Sequence, residues 1–168
     1  MRPIFALQPL RKSIFLAGPT PRPPEDGRAG VTSWRPDALE ILDRLGFDGD
    51  VFVPEVETWD QHDNYDLQIK WELEALDRAT VVAFWIPREI LLIVDGEIKG
   101  LKMPAFTTNY EFGLFAKSGK ALLGYPPGAQ KMSYPAALAQ RYRIPLYENC
   151  DLETFMAAAV DRAGGLYA

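Results

Sequence analysis

The feature that most constrains the fold is an alternation. Five short apolar runs, "SIFLAG" (13–18), "DVFVPE" (50–55), "TVVAFWIP" (80–87), "KALLGYP" (120–126) and "IPLYEN" (144–149), are separated by stretches of helical period. In "SIFLAG" and "TVVAFWIP" nearly every position is apolar, not every second one. That pattern suits strands covered on both faces. Between the runs, Ala38, Ile41, Leu42 and Leu45 recur at i, i+3, i+4 and i+7, as do Leu152, Phe155, Met156 and Ala159. Strand and helix alternate through the chain, which predicts a parallel sheet with helices on both sides. Right-handed crossovers leave few topologies, and five strands favour the order 2-1-3-4-5. Neither an internal repeat nor a linker divides residues 1–168, so one domain is expected.

The connections carry their own signals. "PTPRPPEDGRAG" (19–30) is a loop by its prolines and glycines, and a long loop straight after the first strand is more often functional than decorative. Ser33 can cap the next helix, with Pro36 tolerated in its first turn. "YDLQIKWELEALDRA" (65–79) is the strongest helix, with Ile69, Leu73 and Leu76 as its expected apolar stripe and Leu67, Trp71 and Ala75 flanking it. Asp95-Gly96 sits between apolar runs, which marks 88–103 as a hairpin-like insertion after the third strand. Thr107 or Thr108 is expected to cap a helix ending near Gly119.

Several function classes have no support in the residues. The net charge is −5 and no long Lys/Arg run exists, which argues against a nucleic-acid polymer or an anionic membrane surface. Cys150 is the single cysteine and His62 the single histidine, so neither an internal disulfide nor a zinc site is expected. Dinucleotide and P-loop glycine patterns are absent, and no cofactor is expected. No apolar stretch approaches the ~20 residues that span a bilayer, and residues 1–12 lack the apolar core of a signal peptide. A cytoplasmic protein is the expectation.

Ligands of such sheets sit beyond the carboxyl ends of the strands, near the switch between strands 1 and 3. That edge gathers Gly18 and Pro19, residues 55–64, and residues 107–113. Glu111 there has two readings. Thr108-Asn109-Tyr110-Glu111 fits a capping box, in which Thr and Glu satisfy each other's backbone donors. Alternatively, Glu111 in the first turn is held ionised by the helix dipole and attacks an electron-poor carbon such as C1′ of a sugar. The two compete, because a side chain folded onto its own cap cannot attack. Gly113 costs a helix interior up to ~1 kcal/mol relative to Ala, which suggests a close neighbour there. Glu72 points about 100° away from Trp71 on its helix and so can face the strand ends. Two carboxylates at one cleft can divide acid and nucleophile roles. Trp34, Trp59 and Trp71 are able to stack on a base, whereas Trp85, inside an apolar strand, reads as core.

Taken in order, "SIFLAGP", "WELEALDRATVVAFWIP" and "TTNYEFGLFAKSGKALLG" resemble the nucleoside 2-deoxyribosyltransferase family, in particular its deoxyribosyltransferase-like branch, over most of 13–125. The last piece is the most specific, with Glu-x-Gly, a helix, Ser-Gly-Lys and a strand. The resemblance implies a flavodoxin-like fold and cleavage of N-glycosidic bonds, with transfer of the sugar to another base or to water. It implies Glu111 as nucleophile and Glu72, where the family usually has Asp, as the carboxylate that contacts and protonates the base. Phe15 stands where the family has a hydrogen-bonding Tyr, Asn109 where it has Gly, and Ala105 where it has Asp or Ser. Thr107, Thr108 and Asn109 are candidate replacements for those polar contacts, with Phe15, Gly18, Pro19 and Trp71 beside them as substrate-binding positions. The partners implied are a small nucleoside or nucleotide and further copies of the chain, a dimer or higher homo-oligomer. Phe15 and Ala105 leave a second reading open, a nucleotide-binding module without chemistry.

Overall fold

In the computed structural model of the chain, residues 11–21, 32–55 and 65–165 are described. Five parallel strands form one sheet: β1 (Ser13–Ala17), β2 (Asp50–Phe52), β3 (Val81–Trp85), β6 (Ala121–Tyr125) and β7 (Leu146–Glu148). Their spatial order is β2-β1-β3-β6-β7, the expected 2-1-3-4-5. The arrangement is consistent with a flavodoxin-like fold. The hairpin of β4 (Glu89–Val94) and β5 (Glu97–Met103) forms a separate antiparallel sheet within the insertion. Asp95 and Gly96 both have positive φ, 52° and 78°. That is the type I′ turn an Asp-Gly pair favours.

The apolar strands are buried on both faces because the period of two sends alternate side chains to opposite helical layers. Ile14 and Leu16 of β1, with Val81, Ala83 and Trp85 of β3, pack under α1 (Arg35–Arg44) and α5 (Leu152–Gly165). Phe15, Ala17, Val82 and Phe84 face the other way, toward α2 (Tyr65–Arg78), α3 (Phe106–Phe115) and α4 (Ser133–Tyr142). Phe155, Met156 and Ala159 of α5 are fully buried, and Trp85 is core, stacked against Phe155 with ring centres 5.3 Å apart. Among the described residues, no helix is long and apolar enough to cross a membrane.

Two helices differ from expectation. On α2 the buried positions are Ala75 and Leu76, with Ala79 just past its end, while Ile69, Leu73, Leu67 and Trp71 are exposed. Glu72 shares the inner stripe at i−3, i−4 and i−7 from those residues. Of the expected stripe only Leu76 is inside, and the alanines beside it let the helix lie close to the sheet. The second difference is the start of α3. It begins at Phe106, with left-handed Ala105 (φ 58°) as its N-cap and no side-chain capping bond. Neither Thr107 nor Thr108 caps it, and Glu111 falls in the second turn. The capping-box reading therefore does not hold, and nor does the first-turn dipole argument. Pro104 and Ala105 are buried where the chain leaves β5, and the helix starts two or three residues earlier than the polar signal suggested.

Candidate active site

Glu111 and Glu72 come from neighbouring helices on the same side of the sheet. On α3 the buried stripe is Thr108, Phe112 and Phe115, and Glu111 flanks it on the α2 side. On α2, Glu72 lies in the buried stripe and accepts a hydrogen bond from Gln68 Nε2 at 2.9 Å. Burial raises the Glu72 carboxyl, partly opposed by the Gln68 bond and by the positive charge of Arg35. Burial also raises Glu111, to about 7; the charge of Glu72 adds to the rise and Arg35 opposes it. Two half-buried carboxyls on neighbouring helices, the charge of one raising the other, are a pair able to divide acid and base roles.

Arg35 is the site residue that the sequence reading overlooked. It opens α1, is 1% exposed, and spreads its fork over the carboxyl end of β1. Its Nε donates to Leu16 O at 3.1 Å, Nη2 to Gly18 O at 2.8 Å and Nη1 to Thr20 Oγ1 at 3.1 Å. Nη1 also bonds Glu55 Oε1 at 2.6 Å, just past β2. The same carboxylate oxygen accepts from Ser33 Oγ at 2.8 Å, and Ser33 Oγ takes the Arg35 backbone N–H. The signal was present in the sequence. Arg35 precedes Ala38 by three and Leu42 by seven, which puts a charge on the buried stripe of an amphipathic helix.

The remaining candidates occupy varied places. Gly18 and Pro19 form the turn out of β1, and their carbonyls are taken by Arg35 and by Trp34 Nε1, the latter at 3.2 Å. A Cβ on Gly18 would lie 2.2 Å from Trp85 O, so the close neighbour of that glycine is the protein itself. Phe15 is buried in the core cluster that also holds Phe84 and Phe112. Trp71 is 44% exposed and meets Phe52 edge-on at 6.3 Å. Thr107 is exposed on the Glu111 side of α3, and Thr108 is buried. Asn109 lies on the opposite flank, where its Oδ1 accepts from Arg88 Nη2, whose other nitrogen, Nη1, bonds Lys131 O. Asn109 thus ties α3 to the insertion and to the approach of α4. Gly113 has open space where a Cβ would be, against the expectation of a close neighbour. Trp34 is buried under α1, while Trp59 and His62 lie outside the described residues. No group of three or more His, Cys, Asp or Glu able to hold a metal occurs among the described residues.

A comparison with curated proteins gave no match. The model of the family described as "nucleoside 2-deoxyribosyltransferase like" matches residues 11–129, a span that runs from β1 past β6 and contains Arg35, Glu72 and Glu111. By its matching span and its parallel sheet, the chain belongs to the nucleoside 2-deoxyribosyltransferase-like family.

Proposed function

We propose that the chain is an N-glycosidic-bond enzyme acting on (deoxy)ribonucleosides or nucleotides. The observation that carries this reading is the pair of half-buried carboxyls, Glu72 on α2 and Glu111 on α3, with the charge of Glu72 raising Glu111. Glu111 attacks C1′ as the bond to the base breaks, giving a glycosyl-enzyme. Glu72, on the neighbouring helix, delivers a proton to the leaving base. A second base or water then attacks C1′ from the opposite side, and Glu111 leaves as a carboxylate. Two inversions give net retention, the logic of retaining glycosidases. In this reading Thr107, exposed on the Glu111 side, hydrogen-bonds the sugar, and Trp71 stacks on the base.

Glu111→Ala should abolish release of free base from the substrate nucleoside, followed by chromatography. Glu72→Gln should slow release most for the poorest leaving bases. An alanine variant that turns over normally would sink the reading. A second reading, a binding module without chemistry, is favoured by Phe15, which offers no hydroxyl where the family has a hydrogen-bonding Tyr. Binding of nucleosides by the wild type with no base released would select it. The enzyme is proposed to be a cytoplasmic homo-oligomer. Leu73 on α2 with Tyr110 and Leu114 on α3, all exposed, supply apolar surface beside the carboxyl pair for that assembly.

A further inference from the structure

We propose that Arg35 is the positioning residue of this site: from the far layer of helices its guanidinium reaches over the end of β1, fixes the Gly18–Thr20 turn, and supplies the positive charge that favours the ionised form of both helix carboxyls. The inference deepens the glycosidic reading and rests on it for the role of Glu111.

The geometry carries the argument. α1 packs on one face of the sheet, and Glu72 and Glu111 belong to helices on the other. A side chain crossing between the layers must pass the sheet edge, where strand ends leave backbone groups without ladder partners. Arg35 takes two such carbonyls, Leu16 O and Gly18 O, and adds the Thr20 hydroxyl. Trp34 grips Pro19 O beside it. The end of β1 and the turn after it are thereby held at four points by two adjacent residues of one helix start. A lysine could not do this, because only the planar fork presents donors in several fixed directions.

The charges form an ordered set. Glu111 on α3 is faced by Glu72 from α2 and by Arg35 from α1. Arg35 is shared with Glu55, past β2, which holds it by an ion pair. Glu55 therefore sets how much of the Arg35 charge reaches the carboxylate pair. In a water-poor site, opposite charge favours the ionised carboxylate. Arg35 thus keeps Glu111 able to ionise despite its burial and despite Glu72.

The consequences have opposite signs for two substitutions. Arg35→Gln should raise the midpoint of Glu111 ionisation by about one pH unit. Glu55→Gln keeps an acceptor for Arg35 and Ser33 but removes the competing negative charge, so the midpoint should fall by several tenths of a unit. Arg35→Lys should keep the midpoint within a few tenths of the wild type yet raise KM, since the charge remains and the fork is lost. The midpoint is read by carbon-13 NMR of the glutamate carboxyls, with Glu111→Gln assigning the signal, and separately by the acid limb of the kcat/KM profile. The NMR reading needs no turnover. Absence of base release in the wild type would therefore overturn the enzymatic reading and leave this inference to be judged alone. If Arg35→Gln does not fold, Glu55→Gln carries the test. A downward shift supports the proposal; an unchanged or raised midpoint overturns it.

Discussion

At the scale of the residue, Glu111 shows a cost of placing a carboxyl in a partly dry site. Its carboxyl titrates near 7 in the folded chain and near the ordinary 4.5 when unfolded. The folded state therefore holds the proton more tightly. The stability this gives is complete below about pH 4.5 and is lost as pH rises through 7. Glu111→Gln stays neutral throughout, so its melting temperature should match the wild type near pH 4.5 and exceed it at pH 8. The gain at pH 8 is of order 1–3 kcal/mol. Equal stabilities at pH 8 would show that the carboxyl is not strained. The same titration should give kcat/KM for base release an acid limb near pH 7, falling about tenfold per unit below it. A limb near pH 4 would mean that the bound proton is not on the nucleophile.

At the scale of the element, the two glycines of the site region make contrasting tests. Gly113 lies inside α3 with nothing near its missing Cβ. Gly113→Ala should stabilise the protein by about 0.5–1 kcal/mol, through helix propensity and a smaller unfolded-state entropy. Gly18→Ala would drive a methyl into the Trp85 carbonyl and the Trp34 ring, and should lower stability by at least about 1–3 kcal/mol. Urea midpoints of the two variants should move in opposite directions, and a shift in the same direction would contradict the packing described. α2 explains why helix faces were only partly legible. Periodicity among large apolar residues selected Ile69 and Leu73, but both are exposed, Leu73 at 48%. The buried stripe was the one marked by alanines, with a glutamate among them. Sequence periodicity weights side-chain size, whereas the gap between a helix and its sheet is what admits or excludes a side chain.

At the scale of the whole molecule, the proposed assembly has a direct test. Leu73, Tyr110 and Leu114 are exposed on adjacent helices, Tyr110 at 82%. Sedimentation at about 50 µM, a concentration well above the Kd of a stable ~1,600 Å² interface, should show a dimer or larger species. Leu73→Asp with Leu114→Asp should shift it to monomer. A wild-type monomer at that concentration would exclude the assembly. The parallel order of the strands, their number, the helices between them and the Asp-Gly hairpin followed from the sequence alone. Each rests on short-range signals: period two or 3.6, turn residues, and the handedness of crossovers. Glu111 and Glu72 were legible as candidates because motif and resemblance named them. Only the tertiary structure decided where α3 begins, which face of α2 is inward, and that Arg35 from the opposite layer joins the two glutamates. Those depend on how closely the layers approach and on charges brought together from α1, α2 and α3. Coulombic coupling acts through space, so no spacing along the chain encodes it.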